Sequence, residues 1–128
     1  MNETHTLFPS GEWEGFYTYS YRPDARRHLM SFFLLFKNNA VSGSGADDVG
    51  AFHWRGQYDT KQLTCQMIKY YAGHTVFYDG LVDQNGIWGT WTISDYCKGG
   101  FHIWPKNSAE NEAVEEMASE PEGTYRLT

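Results

Sequence analysis

The sequence predicts an all-β fold, an eight-stranded antiparallel up-and-down barrel, from three observations. Turn signals recur at short intervals through residues 11–104. The links between the apolar segments leave no room for crossover helices, so neighbouring strands are antiparallel. Apolar and polar side chains also alternate within most segments. An eight-strand meander favours closure, because closure removes exposed sheet edges. The predicted strands are Glu12–Tyr21, His28–Lys37, Ala40–Ala46, Ala51–Asp59, Gln62–Tyr71, His74–Val82, Ile87–Ser94 and Gly100–Trp104.

The first two strands differ in their patterns. The first places Trp13, Tyr17, Tyr19 and Tyr21 on an inner face opposite polar side chains. The second is apolar on both faces, and an Asn38-Asn39 turn pairs Phe36 with Val41. This pairing directs Met30, Phe32, Leu34 and Phe36 inward. The remaining apolar side chains form an outer apolar wall of Leu29, Phe33, Leu35, Ile68, Tyr70, Phe77 and Trp88. Such a wall indicates a partner surface, including a second copy, or a covering helix.

The faces of the next four strands follow from carrying the alternation around their turns. A two-residue turn at Thr60-Lys61 predicts that Tyr58 pairs with Leu63, and a four-residue turn at 83–86 predicts that Val82 pairs with Ile87. The inward side chains are then Phe52, Trp54, Tyr58, Leu63, Cys65, Met67, Lys69, Tyr71, His74, Val76, Tyr78, Val82, Ile87, Trp91 and Ile93.

The charge divides the chain into a barrel domain, residues 1–106, and an acidic C-terminal segment, residues 107–128. The segment has a net charge of −5 out of −6 for the whole chain, which leaves −1 for the barrel domain. Asn107 and Glu110 have the spacing of a capping box, and Val114, Met117 and Ala118 recur at helical spacing. A short C-terminal helix is therefore predicted, with a disordered acidic tail as the alternative.

The composition narrows the class of protein. The acidic balance argues against nucleic acid as a partner, and no apolar run reaches the roughly 20 residues of a membrane-spanning helix. The N-terminal residues show neither the basic nor the apolar region of a secretory signal. Cys65 and Cys97 are expected to be reduced thiols. These features predict a cytoplasmic protein.

The loops predict where a ligand would enter. The tight links fall at one end of the barrel, and the longer, more polar loops at 22–27, 46–50, 72–73 and 95–99 fall at the other, which is the expected mouth. The inner face is rich in aromatic side chains, so we expect a small hydrophobic or aromatic ligand. The candidate ligand-binding residues are Trp13, Tyr17, Tyr21, His28, Asp47, Phe52, Trp54, Tyr58, Met67, Lys69, Tyr71, His74, Tyr78 and Trp91.

Lys69 is the most unusual inward residue, because an ionised lysine in an apolar interior is costly unless it is paired. Functionally, Lys69 with Tyr71 and His74 could orient a polar head group, or act as acid and base in a lyase, isomerase or cyclase. Structurally, Lys69 could pair with Asp47 or Asp48, or reach water from near the rim.

No metal site and no cofactor are predicted. The five histidines show no close ligand spacing, and Cys65 lies in an apolar strand, where a thiol is normally inert. Whether the barrel is hollow or filled stays open, because eight strands enclose an interior that side chains can just fill.

Gly11-Glu12-Trp13, at the start of an eight-strand meander, resembles the calycin group of lipocalins, fatty-acid-binding proteins and avidins. The resemblance spans residues 11–104 as a pattern and implies a calycin-like barrel. The stretches 47–50, 56–59 and 99–105 also resemble short bacterial barrels of unknown function. Both resemblances concern shape and assign no activity.

Overall fold

The computed structural model describes residues 3–94 and 97–106, and it is a closed barrel of eight antiparallel strands in chain order. The all-β prediction is confirmed. The C-terminal helix predicted in residues 107–128 lies outside the described residues. No helix in those two described ranges could span a membrane. The strands are β1 (Gly11–Thr18), β2 (His28–Lys37), β3 (Ala40–Asp47), β4 (Ala51–Asp59), β5 (Thr64–Tyr70), β6 (Thr75–Asp83), β7 (Gly86–Ser94) and β8 (Cys97–Pro105).

Two predicted pairings are confirmed. Phe36 pairs with Val41 across Asn38 and Asn39, whose φ angles of 52° and 68° form the left-handed turn that suits the strand twist. Val82 pairs with Ile87. The inner row of β2 is buried as predicted, and its outer row is exposed.

The predicted pairing of Tyr58 with Leu63 is wrong, because Tyr58 pairs with Cys65. The turn has four residues, 60–63, and the Asp59 carboxylate caps it by accepting hydrogen bonds from the backbone N–H groups of Lys61 (2.8 Å) and Gln62 (2.9 Å). A shift of two residues leaves every side chain on its predicted face, because the alternation has a period of two.

Four residues predicted to point inward are exposed. β1 ends at Thr18, so Tyr19 and Tyr21 leave the barrel wall and are 56% and 61% exposed. His74 is exposed because it belongs to the turn before β6. Ile93 is 49% exposed at a register irregularity between Thr92 and Ser94.

The end of the barrel that carries the tight links is closed by residues 3–10, a role that the sequence alone did not indicate. The Phe8 ring is fully buried, with its centroid 5.5 Å from that of Phe36 and 4.9 Å from that of Tyr58. The Tyr58 hydroxyl donates to Glu3 Oε1 at 2.7 Å, and Glu3 N donates to Phe36 O at 3.0 Å. The Phe8 ring therefore fills this end of the barrel, and Glu3 ties the N-terminal segment to Tyr58 and Phe36.

Candidate functional site

Lys69 lies on β5 with its side chain inside the barrel, where it is 0% exposed. The chain alternation places it there between Trp54 on β4 and Val76 on β6, its neighbours across the sheet. Its Nζ atom lies 2.5 Å from Asp47 Oδ2, 3.1 Å from the Tyr78 hydroxyl and 3.2 Å from Met30 Sδ. The ammonium group is thus held by one carboxylate, one phenol and one thioether.

Five aromatic rings surround the same ammonium group. The distance from Lys69 Nζ to the ring centroids ranges from 4.5 Å for Phe52 to 5.6 Å for Trp54. Attraction between the cation and the ring faces offsets part of the lost hydration. We call this arrangement the Lys69 box; its members are Lys69, Asp47, Tyr17, Phe52, Trp54, Tyr71 and Tyr78.

Asp47 ends β3, and the turn that follows fixes its carboxylate. Oδ1 accepts hydrogen bonds from the backbone N–H groups of Val49 (2.9 Å) and Gly50 (3.3 Å). Oδ2 accepts from Lys69 and from the Tyr71 hydroxyl. The Asp47 side chain is 0% exposed, so it forms a buried ion pair with Lys69. Of the alternatives that the sequence leaves open for Lys69, the structure shows the pairing with Asp47.

The protonation states follow from this burial. Burial lowers the pKa of Lys69 to about 8, and the Asp47 carboxylate opposes that change. Burial raises the pKa values of Tyr71 and Tyr78, and the negative charge of Asp47 raises them further. Both phenols therefore keep their protons at neutral pH and can donate hydrogen bonds.

A second carboxylate, Asp48, lies at the rim of the box. Its Oδ1 accepts a hydrogen bond from the Tyr17 hydroxyl at 2.5 Å, and its Oδ2 lies 2.6 Å from His28 Nδ1. Burial alone would raise the pKa of Asp48, but the hydrogen bonds from His28 and Tyr17 lower it below its usual value. Because an ionised carboxylate only accepts, His28 donates through Nδ1–H.

Trp91 completes the rim on the β7 side. Its indole N–H donates to Thr18 O at 2.8 Å, and it is buried. Gly99 permits this approach, because a Cβ at that position would lie 1.9 Å from Thr18 O and 2.7 Å from Trp91 Nε1. The exposed Tyr19 ring packs edge-on against Trp91 and His28, with centroid distances of 5.3 and 5.0 Å.

The structure gathers most, but not all, of the predicted ligand-binding residues at the mouth. Tyr17, Asp47, Phe52, Trp54, Lys69, Tyr71 and Tyr78 form the box, with His28 and Trp91 at its rim. Met67 is buried next to Tyr78 in the strand register. Trp13 and Tyr58 pack with Phe36 at the opposite, closed end. Tyr21 is exposed, and His74 stacks on the outer side of Tyr71, 4.7 Å between centroids.

Two contributors were not among the predicted site residues. Met30 was assigned inward, but a thioether gives no polar signal in a sequence. Asp48 was considered only as an alternative partner for Lys69, whereas it binds His28 and Tyr17. The adjacent pair Asp47-Asp48 was the available signal, because two acids at one strand end can face different neighbours.

Side chains fill the barrel around the box. The Tyr78 ring contacts Trp54 and Phe101, with centroid distances of 4.9 and 4.8 Å. Residues 3–94 and 97–106 contain no group of three His, Cys, Asp or Glu side chains placed to hold a metal ion.

Fold and site together define a class, a closed eight-stranded barrel with a buried, ion-paired lysine in an aromatic box at one end. Comparison with protein-family models, with curated protein sequences and with solved structures gives no match to this chain.

Proposed function

We propose that the barrel binds a small hydrophobic or aromatic molecule at the mouth, with a polar group of that molecule directed toward Lys69. The observation that supports this is the buried Lys69–Asp47 pair enclosed by aromatic rings. A buried ion pair is seldom more stable than apolar residues of the same volume. A cluster of convergent polar groups in an aromatic surround is typical of a ligand site.

Tyr71 is the member of the box that covers the path by which a ligand would enter. It follows β5 in the turn at the mouth and is half-buried, whereas Lys69 and Trp54 are fully buried. Outward rotation of the Tyr71 ring would release its hydrogen bond to Asp47 and open the box. An eight-stranded meander that binds a ligand at one end agrees with a calycin-like assignment, which we include in the proposal.

Native mass spectrometry of the purified protein tests the proposal. We expect a noncovalent small-molecule adduct on the wild-type protein that disappears in Lys69→Met. Lys61→Met, at an exposed position of the turn 60–63, is the control and keeps the adduct. A wild-type protein that carries no adduct, and that binds none of a panel of aromatic compounds by ligand-observed NMR, would contradict the proposal.

An enzyme that uses the same box residues is the alternative for this end of the barrel. It would use Lys69 and Tyr71 as base and acid around the Asp47 carboxylate. His74, the third candidate, lies on the outer side of Tyr71 and so would act only at the entrance. If the wild-type protein converts a candidate substrate and Lys69→Met does not, this alternative is favoured.

A second candidate function is self-association through the outer surface. Strand pairing places Leu81, Trp88, His102, Phe16 and Leu29 side by side across five strands, and we call this row the outer belt. Leu81, Trp88 and Leu29 are 50%, 41% and 48% exposed. Contiguous exposed apolar side chains of this kind are typical of interaction surfaces.

A further inference from the structure

The interior of the box contains more hydrogen-bond donors than acceptors. The Lys69 ammonium has three N–H groups, and Asp47, Tyr78 and Met30 accept them. Asp47 Oδ2 accepts from both Lys69 and Tyr71, while Oδ1 is used by two backbone N–H groups. The oxygens of Asp47 are therefore already engaged.

Two donors are left without a strong acceptor. Trp54 Nε1 is buried and has no hydrogen-bond partner in the part of the chain that the structure describes. The Tyr78 hydroxyl accepts from Lys69, but its own proton meets only Met30 Sδ, at 4.0 Å. The two rings are in edge-to-face contact with 4.9 Å between centroids, so the two donors belong to neighbouring side chains of the box. A buried donor without an acceptor is destabilising, because it loses its hydrogen bond to water and gains none in the protein.

The charges of the box restrict what the missing acceptor can be. Lys69 and Asp47 already neutralise each other, and Asp48 adds negative charge at the rim. A carboxylate or phosphate ligand would bring a further buried negative charge without a free cation, which is costly. A hydroxyl group would bring another donor into a site that lacks acceptors. A carbonyl oxygen accepts two hydrogen bonds and donates none.

We propose that the Lys69 box binds the carbonyl oxygen of a neutral aromatic or hydrophobic molecule through Trp54 Nε1–H and the Tyr78 hydroxyl. This inference rests on the proposed function and specifies its ligand class: a ketone, an ester or another compound whose polar group only accepts. Trp54 and Tyr78 are then ligand-binding residues, and Lys69 orients the Tyr78 hydroxyl by donating to its oxygen.

The test compares acetophenone with cumene, which are similar in size but carry a carbonyl oxygen and a methyl group, respectively, at one position. We expect the wild-type protein to bind acetophenone at least about tenfold more tightly, the effect of satisfying a buried donor. In ¹H–¹⁵N spectra the Trp54 indole N–H should shift downfield with acetophenone only. Trp54→Phe should reduce the preference to about twofold or less.

The control is Trp88→Phe, which also removes an indole N–H, but at the exposed surface, where it bonds Asp83. This variant should keep the tenfold preference.

Equal binding of acetophenone and cumene overturns the carbonyl inference and leaves small-molecule binding in place. Binding of neither probe contradicts both proposals at this site. If the Trp54 indole shows a nuclear Overhauser effect to a long-lived water and no shift with acetophenone, the acceptor is water and the inference is wrong. The spectrum of the wild-type protein decides even if Trp54→Phe does not fold.

Discussion

Lys69 is a buried charge, and its environment was predictable from the sequence only in part. Its position inside the sheet follows from strand alternation alone, and a partner was predictable because an unpaired buried ammonium is too costly. Which of Asp47 and Asp48 would be that partner was not predictable. The choice depends on the turn after β3, whose backbone N–H groups hold Asp47 inward while Asp48 faces His28 and Tyr17.

We predict that the contribution of Lys69 to stability depends on pH above neutrality. The pKa of Lys69 is about 8 in the folded protein and about 10.4 in an unfolded chain. Between these values the unfolded state binds more protons, so the free energy of unfolding rises with pH. The rise approaches about 1.4 kcal/mol per pH unit. Below pH 8 both states are protonated and the cost of burying the charge is complete. Urea titrations at pH 7, 8, 9 and 10 measure the free energy of unfolding at each pH.

The comparison is with Lys69→Met, because other groups titrate in the same range. Burial raises the pKa of Cys65 to about 12 and the pKa of Tyr78 as well, so both lower the stability of wild type and variant at alkaline pH. The wild-type minus variant difference removes their effect. That difference should increase from pH 8 to pH 10, and a constant difference would show that Lys69 keeps its ordinary pKa.

At the scale of elements, regular strands were predictable and their ends were not. The two-residue turn at Asn38-Asn39 was recognisable because asparagine tolerates a positive φ angle. The turn 60–63 was misjudged because Leu63 adopts a φ of 57°, which its residue type does not suggest. The end of β1 at Thr18 was missed because Tyr19 and Tyr21 continue the alternating pattern after the strand has left the sheet.

The N-terminal segment 3–10 was the largest omission. It carries no strand or helix pattern. Its contacts are with residues that come together only when the barrel closes. Phe8 fills the end of the barrel between Phe36 and Tyr58, as a plug does, and Trp13 Nε1–H donates to Pro9 O at 2.9 Å.

We predict that Phe8→Ala lowers the free energy of unfolding by about 3–5 kcal/mol, because it opens a cavity in the closed end of the core. Phe33→Ala is the matched control. It removes the same side chain from the outer face of β2, where Phe33 is 50% exposed, and should cost less than about 1 kcal/mol. Urea unfolding followed by tryptophan fluorescence measures both. Equal effects would mean that residues 3–10 do not close the barrel in solution.

At the scale of the whole molecule, the charge distribution and the outer surface both bear on whether two copies of the chain associate. The chain has a net charge of −6, of which residues 1–106 contribute −1. In the outer belt, Arg27 stacks on Phe16 with 4.7 Å from its Cζ atom to the ring centroid, and burial lowers the pKa of His102, which favours its neutral form. Of the predicted outer apolar wall, Leu29 and Trp88 belong to this belt.

We predict weak self-association through the outer belt. A single row of side chains is smaller than the roughly 800 Å² per partner of a stable interface. The monomer–dimer equilibrium should therefore be visible between about 10 μM and 1 mM, the range of weak complexes. Sedimentation velocity measures this equilibrium.

Trp88→Lys should keep the protein monomeric at every concentration, since Trp88 is already 41% exposed and a charge there disrupts the contact without disturbing the core. Val49→Lys, at a 53% exposed position in the mouth, adds the same charge outside the belt and should leave the association unchanged. A wild-type protein that remains monomeric at 1 mM would refute the belt as a contact between copies, whereas equal loss in both lysine variants would trace the effect to added charge rather than to the belt.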